Sequence, residues 1–212
     1  MIRFIYADQL NAYPVLRDTM FRDRAQQFKE RLKWEVSVDS TGYEIDQYDT
    51  ENPMYVIWEM EDGTHGGSMR LLPTTGDTMV NDHFLHLTDG VRIESPLIWE
   101  CTRYCLSARH SKHATRIAGA LLAAGCEIGL QFGLSDSVGV FDARMVRIYR
   151  RIGWEPTILG TSDEGKDSIS VGLWEVSEEA RNRICARSGF SVDTPSEWFA
   201  ASFTPNRELE AA

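Results

Sequence analysis

Apolar positions recur along this chain with two periods, and their succession predicts alternating helices and strands. From residue 11 to 31 the pattern is helical: Leu16, Met20, Phe21, Ala25, Phe28 and Leu32 return every three or four positions, and Pro14 marks the first turn, where a proline is tolerated. Residues 54–60 and 67–72 alternate as a hairpin around Asp62-Gly63, and Pro73 and Gly76 of LLPTTGD end the pairing. Residues 97–108, LIWECTRYCLSA, make the most strand-like run, closed by the polar residues 109–113. Residues 111–131 return to the helical period, with Ile117, Leu121, Ala124 and Ile128 on one stripe and Ala or Gly elsewhere. A strand over 132–141 follows. Asp142 is placed to cap a helix to residue 151 or 152, and Gly153 ends it. Two strands over 154–160 and 168–176, joined by the turn SDEGKD, precede a helix that Ser177 caps and Gly189 closes. Residues 78–90 are mixed and carry no assignment, and those after 191 read as peripheral. The order predicts an α/β sandwich with a mixed sheet rather than a regular parallel winding.

A chain of 212 residues supports one ample core, and no repeat or low-complexity run divides it. No window reaches the length of a membrane span and the first residues carry no long apolar run, so a cytoplasmic location with no membrane span is the expectation. Cys101, Cys105, Cys126 and Cys185 include no CxxC pair and read as reduced core residues. His83 with His86, and His110 with His113, are HxxH pairs without a third ligand, so no metal is expected. The formal charge of −10 argues against nucleic-acid binding, which depends on neutralising phosphates. It also makes two local basic clusters informative. Arg109, Lys112 and Arg116 flank the start of one helix; Arg144, Arg147, Arg150 and Arg151 crowd another, with no acid between Arg144 and Gly153.

Candidate chemistry lies elsewhere. There is no GxGxxG, no GxxxxGK[ST] and no GxSxG, so neither a nucleotide loop nor a hydrolase elbow is expected. Glu100 and Arg103 sit in a strand that otherwise wants burial, and each needs a partner or a ligand. Three apart, they point to opposite faces unless a bulge resets the pleat. The strand alone leaves a structural ion pair and a binding site equally open. With Arg24, Asp46, Asp49 and Arg70, and with Phe28 and Trp34 among them, these charges suit a small zwitterionic or cationic ligand. The polar connection over 35–53, which also carries Asp39, Glu44 and Glu51, is long enough to be functional.

FRDRAQQFKERLKW, EIDQYD, GGSMRLLPTTG and WECTRYC, in this order and spacing, resemble the acyl-homoserine-lactone synthases, the autoinducer synthases of quorum sensing. The likeness spans about residues 20–155 and continues less specifically through DARMVRIYRRIGWEP. It implies an acetyltransferase-like (GNAT) fold, a three-layer αβα sandwich with a mixed central sheet, in one catalytic domain over 1–212. Within it, residues 1–50 lie over the S-adenosylmethionine (SAM) site and 190–212 form a peripheral tail. It implies transfer of a fatty acyl group from acyl carrier protein to the SAM amine, then lactone closure with release of methylthioadenosine. SAM is a substrate there, and no cofactor is implied. Family positions carry over to Arg24, Phe28, Trp34, Asp46, Asp49 and Arg70 for SAM binding and to Glu100 and Arg103 for catalysis, with Glu100 as base through a water.

Two further expectations follow from the resemblance. An acyl tunnel between residues 97–108 and the next strand would be lined by Leu97, Trp99, Cys101, Val138, Val140, Phe141 and Asp142. Family members that prefer 3-oxo chains tend to carry Thr where this sequence has Phe141 and Asp142, which argues against a 3-oxo preference. Carrier proteins are acidic, so Arg144, Arg147, Arg150 and Arg151, with Lys112 and Arg116, would form their docking face. Where a CoA-using acetyltransferase has a glycine-rich pyrophosphate loop, this chain has ARHSKHAT, which favours a carrier-protein donor without excluding CoA. The alternatives are an acyl-CoA-dependent GNAT enzyme acting on another amine and a non-catalytic SAM-binding relative.

Overall fold

The sheet is built outward from the hairpin. Strands β2 (Met54–Glu59) and β3 (His65–Pro73) pair antiparallel, and β1 (Ile2–Tyr6) adds to the free edge of β2. The computed structural model describes residues 1–162, 165 and 168–204. β4 (Ile98–Leu106) pairs antiparallel with β3 and parallel with β5 (Asp136–Asp142); β7 (Ile169–Glu175) and β6 (Thr157–Thr161) complete the order β1-β2-β3-β4-β5-β7-β6. The mixed sheet predicted from the element order is thus present. Most of the predicted turn SDEGKD, residues 163–164 and 166–167, lies outside the described residues.

Period-two alternation sorts the strand residues between two layers. Ile5, Tyr55 and Ile57 pack on α1 (Pro14–Arg24) through Leu16, Met20 and Phe21. Their neighbours Phe4, Met54 and Val56 face α3 (Ala114–Phe132) through Ile117, Leu121 and Ile128. Helices α4 (Met145–Ile152) and α5 (Glu178–Ser188) share the α3 layer, while α2 (Met79–His83) lies on the α1 side, where Val80 meets Val138 and Val171.

Several boundaries differ from the sequence pattern. The helix read over 11–31 is a 3-10 turn, then α1, then a π-helical turn over Ala25–Arg31 in which Ala25 and Phe28 are buried. The strand read over 132–141 begins only at Asp136: Phe132 ends α3, and Gly133 takes the left-handed conformation (φ 67°) that closes a helix. Asp142 accepts the backbone N–H of Arg144 at 2.9 Å from the end of β5, one turn ahead of α4. The unassigned 78–90 region holds α2 and a 3-10 turn over Leu85–Leu87.

The ends of the chain are more central than expected. β1 is an edge strand of the sheet, so residues 1–50 do not all cover the site. α6 (Thr194–Phe203) is not a peripheral tail: Phe199 meets Phe4 edge-on at 5.3 Å, and Ser202 accepts the Phe4 N–H at 3.2 Å. Residues 205–212 of that predicted tail lie outside the described residues.

Candidate active site

One irregularity in β4 organises the site. Arg103 has a left-handed backbone (φ 54°), and the register with β3 slips between Ser68 and Arg70, so two β4 residues stand where one would. This bulge resets the pleat. Arg103 thereby joins Glu100 and Thr102 on the α1–α2 side rather than alternating away from Glu100.

Arg103 meets the polar loop of residues 35–53 there. The loop fixes its own carboxylates: Asp46 caps the turn Gln47–Thr50 by accepting the Tyr48 N–H, while Asp49 accepts the Asp46 N–H. Three guanidiniums interdigitate with three carboxylates. Arg24 donates to Glu44 at 2.7 Å and grips Asp49 through both terminal nitrogens. Arg70 pairs with Asp46 and Asp49, and its Nε donates to Thr102 at 3.0 Å. Arg103 pairs with Glu44 at 2.9 Å and Asp46 at 2.6 Å. Charge balances within this cluster. Burial alone would push Asp49 up, but Arg24, Arg70 and the Tyr55 hydroxyl hold it well below the usual carboxylate range.

Aromatic rings stand in front of the ion cluster. The Arg103 guanidinium lies over Phe28 at 5.5 Å, and Trp34 stacks on Phe28 with centroids 5.1 Å apart. Trp34 is 41% exposed and marks the mouth of a cavity of about 290 Å³. β4 and β5 pair only from Ile98 to Glu100 and from Asp136 to Val138, and the cavity occupies the gap where they part. Gly139 lies at that gap, where a Cβ would stand 3.1 Å from the Cys101 carbonyl oxygen. Beyond it the cavity runs to an apolar inner end formed by Met145, Ile148, Tyr149, Trp154 and Trp174.

The predicted site residues therefore separate into two shells. Phe28, Trp34 and Arg103 are on the cavity wall, whereas Arg24, Asp46, Asp49 and Arg70 stand behind it, paired with one another. Glu100 is also one layer back. It is 1% exposed and accepts the N–H groups of Met79 (3.0 Å) and Val80 (2.6 Å), anchoring α2. Burial pushes it up to about 7 against the pull of those N–H groups and Arg70. Met79 in turn lines the cavity and touches Arg103, Nη1 to Sδ at 3.9 Å.

Of the predicted acyl-tunnel residues, Cys101, Val140, Phe141 and Asp142 line the cavity and three do not. Leu97 precedes β4 and is 51% exposed. The Trp99 ring tilts against Phe132 at 4.8 Å, toward the end of α3. Val138 is fully buried on the α2 side, because β4 and β5 are still paired at that level. The neighbours Val140 and Phe141 both line the cavity because it lies between the strands, not on one face of the sheet.

The proposed docking cations do not share one face. Arg147, Arg150 and Arg151 are exposed on α4; Arg144 pairs with Asp142 at 2.8 Å and Arg150 with Glu155 at 3.2 Å. Lys112 belongs to the 3-10 turn ahead of α3, and Arg116 is turned away over the Phe190 ring at 4.7 Å, facing the β2–β3 turn. Sequence reasoning missed Glu44, Tyr55, Met79 and Thr102. Glu44 looked like any other acid of its loop, and only the fold shows it buried between Arg24 and Arg103.

Other chemistry-bearing groups are structural. Asp23, His65 and Ser68 form a hydrogen-bonded chain (2.7 and 2.9 Å) in which all three are buried and none lines the cavity, so it ties α1 to β3. Burial pushes the Cys101 thiol up to about 12, which denies it a thiolate at neutral pH. Among the described residues no group of three or more His, Cys, Asp or Glu side chains is arranged for a metal, and no helix is long and apolar enough to cross a membrane.

The sequence and the fold both have counterparts among known proteins. The family model described as autoinducer synthase matches residues 9–184. An acyl-homoserine-lactone synthase from Rhizobium etli is 42% identical over 183 residues, covering 84% of this chain and 86% of its own. Among solved structures, the CoA-dependent acyl-homoserine lactone synthase BjaI matches with a TM-score of 0.80 at 26% identity over 91% of each chain; it is known with SAM and isopentyl-CoA and with MTA. An acyl-CoA N-acyltransferase from Pseudomonas aeruginosa, 12% identical, has a TM-score of 0.54 over 82% of this chain and 97% of its own, a likeness of fold alone. The architecture is accordingly that of the acetyltransferase-like (GNAT) fold. With a family match over most of its length and a relative 42% identical over 183 residues, the chain belongs to the autoinducer synthase family of acyltransferases.

Proposed function

We propose that this protein is an acyl-homoserine-lactone synthase that transfers an acyl group from a thioester to the amine of SAM and then closes the lactone with release of methylthioadenosine. The observation that carries the reading is the single cavity that joins an aromatic, guanidinium-bearing mouth (Phe28, Trp34, Arg103) to an apolar inner end between β4 and β5. A charged sulfonium amino acid suits the first part and a hydrocarbon chain the second.

The residues have distinct tasks in this reading. Phe28 and Trp34 present ring faces that attract the sulfonium and cover the adenine. Arg103, beside Phe28 on the wall, can take the SAM carboxylate; Glu44 and Asp46 hold it in place and are themselves held by Arg24 and Arg70. The nucleophile is the neutral amine. With an α-amino pKa of about 8, only roughly a tenth is neutral at pH 7. Glu100, pushed up to about 7, matches the working pH of a base, and each of its oxygens keeps a lone pair through which a water can relay the proton. Backbone N–H groups where β4 leaves β5 are the candidate donors to the thioester oxyanion. The amine forms the C–N bond as the thioester C–S bond breaks, the carrier's thiol leaves and the nitrogen's proton passes to the base. In the resulting uncharged amide the bound carboxylate then displaces methylthioadenosine from the carbon that bears the sulfonium, at the high effective molarity of a held conformer.

Acyl carrier protein is the favoured donor, because α4 presents Arg147, Arg150 and Arg151 to solvent and the turn Ala108–His113 lacks the glycines of a pyrophosphate loop. A CoA thioester is the second reading, favoured by the similarity to BjaI. The test is incubation of the purified protein with SAM and either acyl-carrier protein or acyl-CoA, followed by mass spectrometry. An acyl-homoserine lactone formed together with methylthioadenosine is the expected outcome, and the donor that supports the higher kcat/KM decides between the two. A folded protein that releases neither product overturns the synthase reading.

A further inference from the structure

This inference concerns the acyl end of the cavity and rests on the synthase reading above. The β4 bulge sends Arg103 to the α1–α2 side, and the next residue, Tyr104, falls on the α3 side, where it packs against the core clusters of α3 and α4. Its ring forms part of the cavity wall. The hydroxyl oxygen is closed off from solvent and has no hydrogen-bond partner among the described residues. Its electrostatic neighbours are the thiols of Cys101 and Cys105 and the Tyr149 hydroxyl, and the same cavity is lined by apolar side chains such as Leu122, Met145, Ile148 and Phe141. A phenylalanine would build the same wall without an unsatisfied buried hydroxyl, which is costly.

We propose that Tyr104 hydrogen-bonds an oxygen carried by the acyl chain, a hydroxyl or keto group near the thioester, and so selects oxygenated chains over unsubstituted chains of equal length. A phenol hydroxyl both donates and accepts, so either substituent can pair with it. A chain oxygen entering this cavity loses its water, and an unsubstituted chain leaves the Tyr104 hydroxyl unpaired; the Tyr149 hydroxyl on the same wall is the neighbouring donor, which the Tyr104→Phe substitution leaves in place. The thioester carbonyl is the competing partner. It must lie beside the amine held on the Arg103 side of β4, and Tyr104 faces the other side.

The experiment compares wild type and Tyr104→Phe with SAM and three donors of one chain length, unsubstituted, 3-hydroxy and 3-oxo. Wild type is expected to favour an oxygenated donor. Tyr104→Phe, which keeps the ring, is expected to lower kcat/KM for that donor about tenfold and to leave the unsubstituted donor unchanged or improved. A ratio between donors that the substitution does not move overturns the inference and leaves the synthase reading intact. An equal fall for all three donors assigns the hydroxyl to the thioester carbonyl and also overturns it. No lactone from any donor, with the protein folded, overturns the synthase reading and the inference together.

Discussion

Arg24 and Asp49, 25 positions apart in the chain, meet as a two-pronged pair, Nη1 to Oδ1 at 3.0 Å and Nη2 to Oδ2 at 2.9 Å, with the arginine 1% exposed. Asp49 also accepts from the Tyr55 hydroxyl and the Asp46 backbone, so this one carboxylate ties α1, the polar loop and β2 together. Asp49→Asn leaves Arg24 and Arg70 buried with one fewer counter-charge, and a loss of about 3–5 kcal/mol is expected in urea unfolding. A variant as stable as wild type would show that the cluster is not what fixes the loop. Because Asp49 is held below its ordinary value, its contribution is complete above the unfolded carboxylate pKa near 3.8 and fades as pH falls toward the folded value.

Glu100 has the opposite sign. Its folded value of about 7 lies above the ordinary 4.5, so between these limits the folded protein binds the proton that the unfolded chain has already lost. Glu100 is therefore expected to make stability fall as pH rises from about 4.5 to 7, by up to ~3 kcal/mol, and Glu100→Gln should lack that contribution, leaving the opposite rise from the lowered, buried His65. Thermal unfolding at matched ionic strength measures the difference. In the same reading the rate of acyl transfer rises with pH through about 7, and Glu100→Gln lowers kcat by about 10²-fold or more.

Trp34 is the exposed half of the stacked pair with Phe28. Trp34→Ala should leave unfolding stability within about 1 kcal/mol while raising the KM for SAM roughly 3- to 10-fold, the worth of one aromatic stack. Steady-state kinetics with varied SAM makes the comparison, and an unchanged KM would remove Trp34 from the SAM site.

Arg147 and Arg151 are exposed on α4, away from the ion cluster behind the cavity. Reversing both charges to Glu should raise the KM for acyl-carrier protein about tenfold at low salt, with the gap closing as ionic strength rises. The same pair tested with acyl-CoA should change far less. Equal effects on both donors, or no salt dependence, would reject α4 as the carrier-protein face.

Local pattern determined most of the elements of this protein. The hairpin around Asp62-Gly63, the small-residue stripe of α3, the Ser177 cap and the glycine stops at 153 and 189 depend on residues within a turn of one another, and all are present. The motif residues marked Phe28, Trp34 and Arg103 in the same way, and these line the cavity. Tertiary structure decided the rest, for physical reasons that no window of sequence contains. Glu44 and Tyr55 acquire their place from neighbours 20 and 6 positions distant that only folding brings within hydrogen-bond reach. Whether Glu100 and Arg103 share a face depended on a one-residue bulge, and which residues line the cavity depended on where β4 and β5 cease to pair. Trp99 and Val138, expected in the acyl tunnel from the family resemblance, lie where the strands are still joined, so packing against Phe132 and Val171 claims them instead.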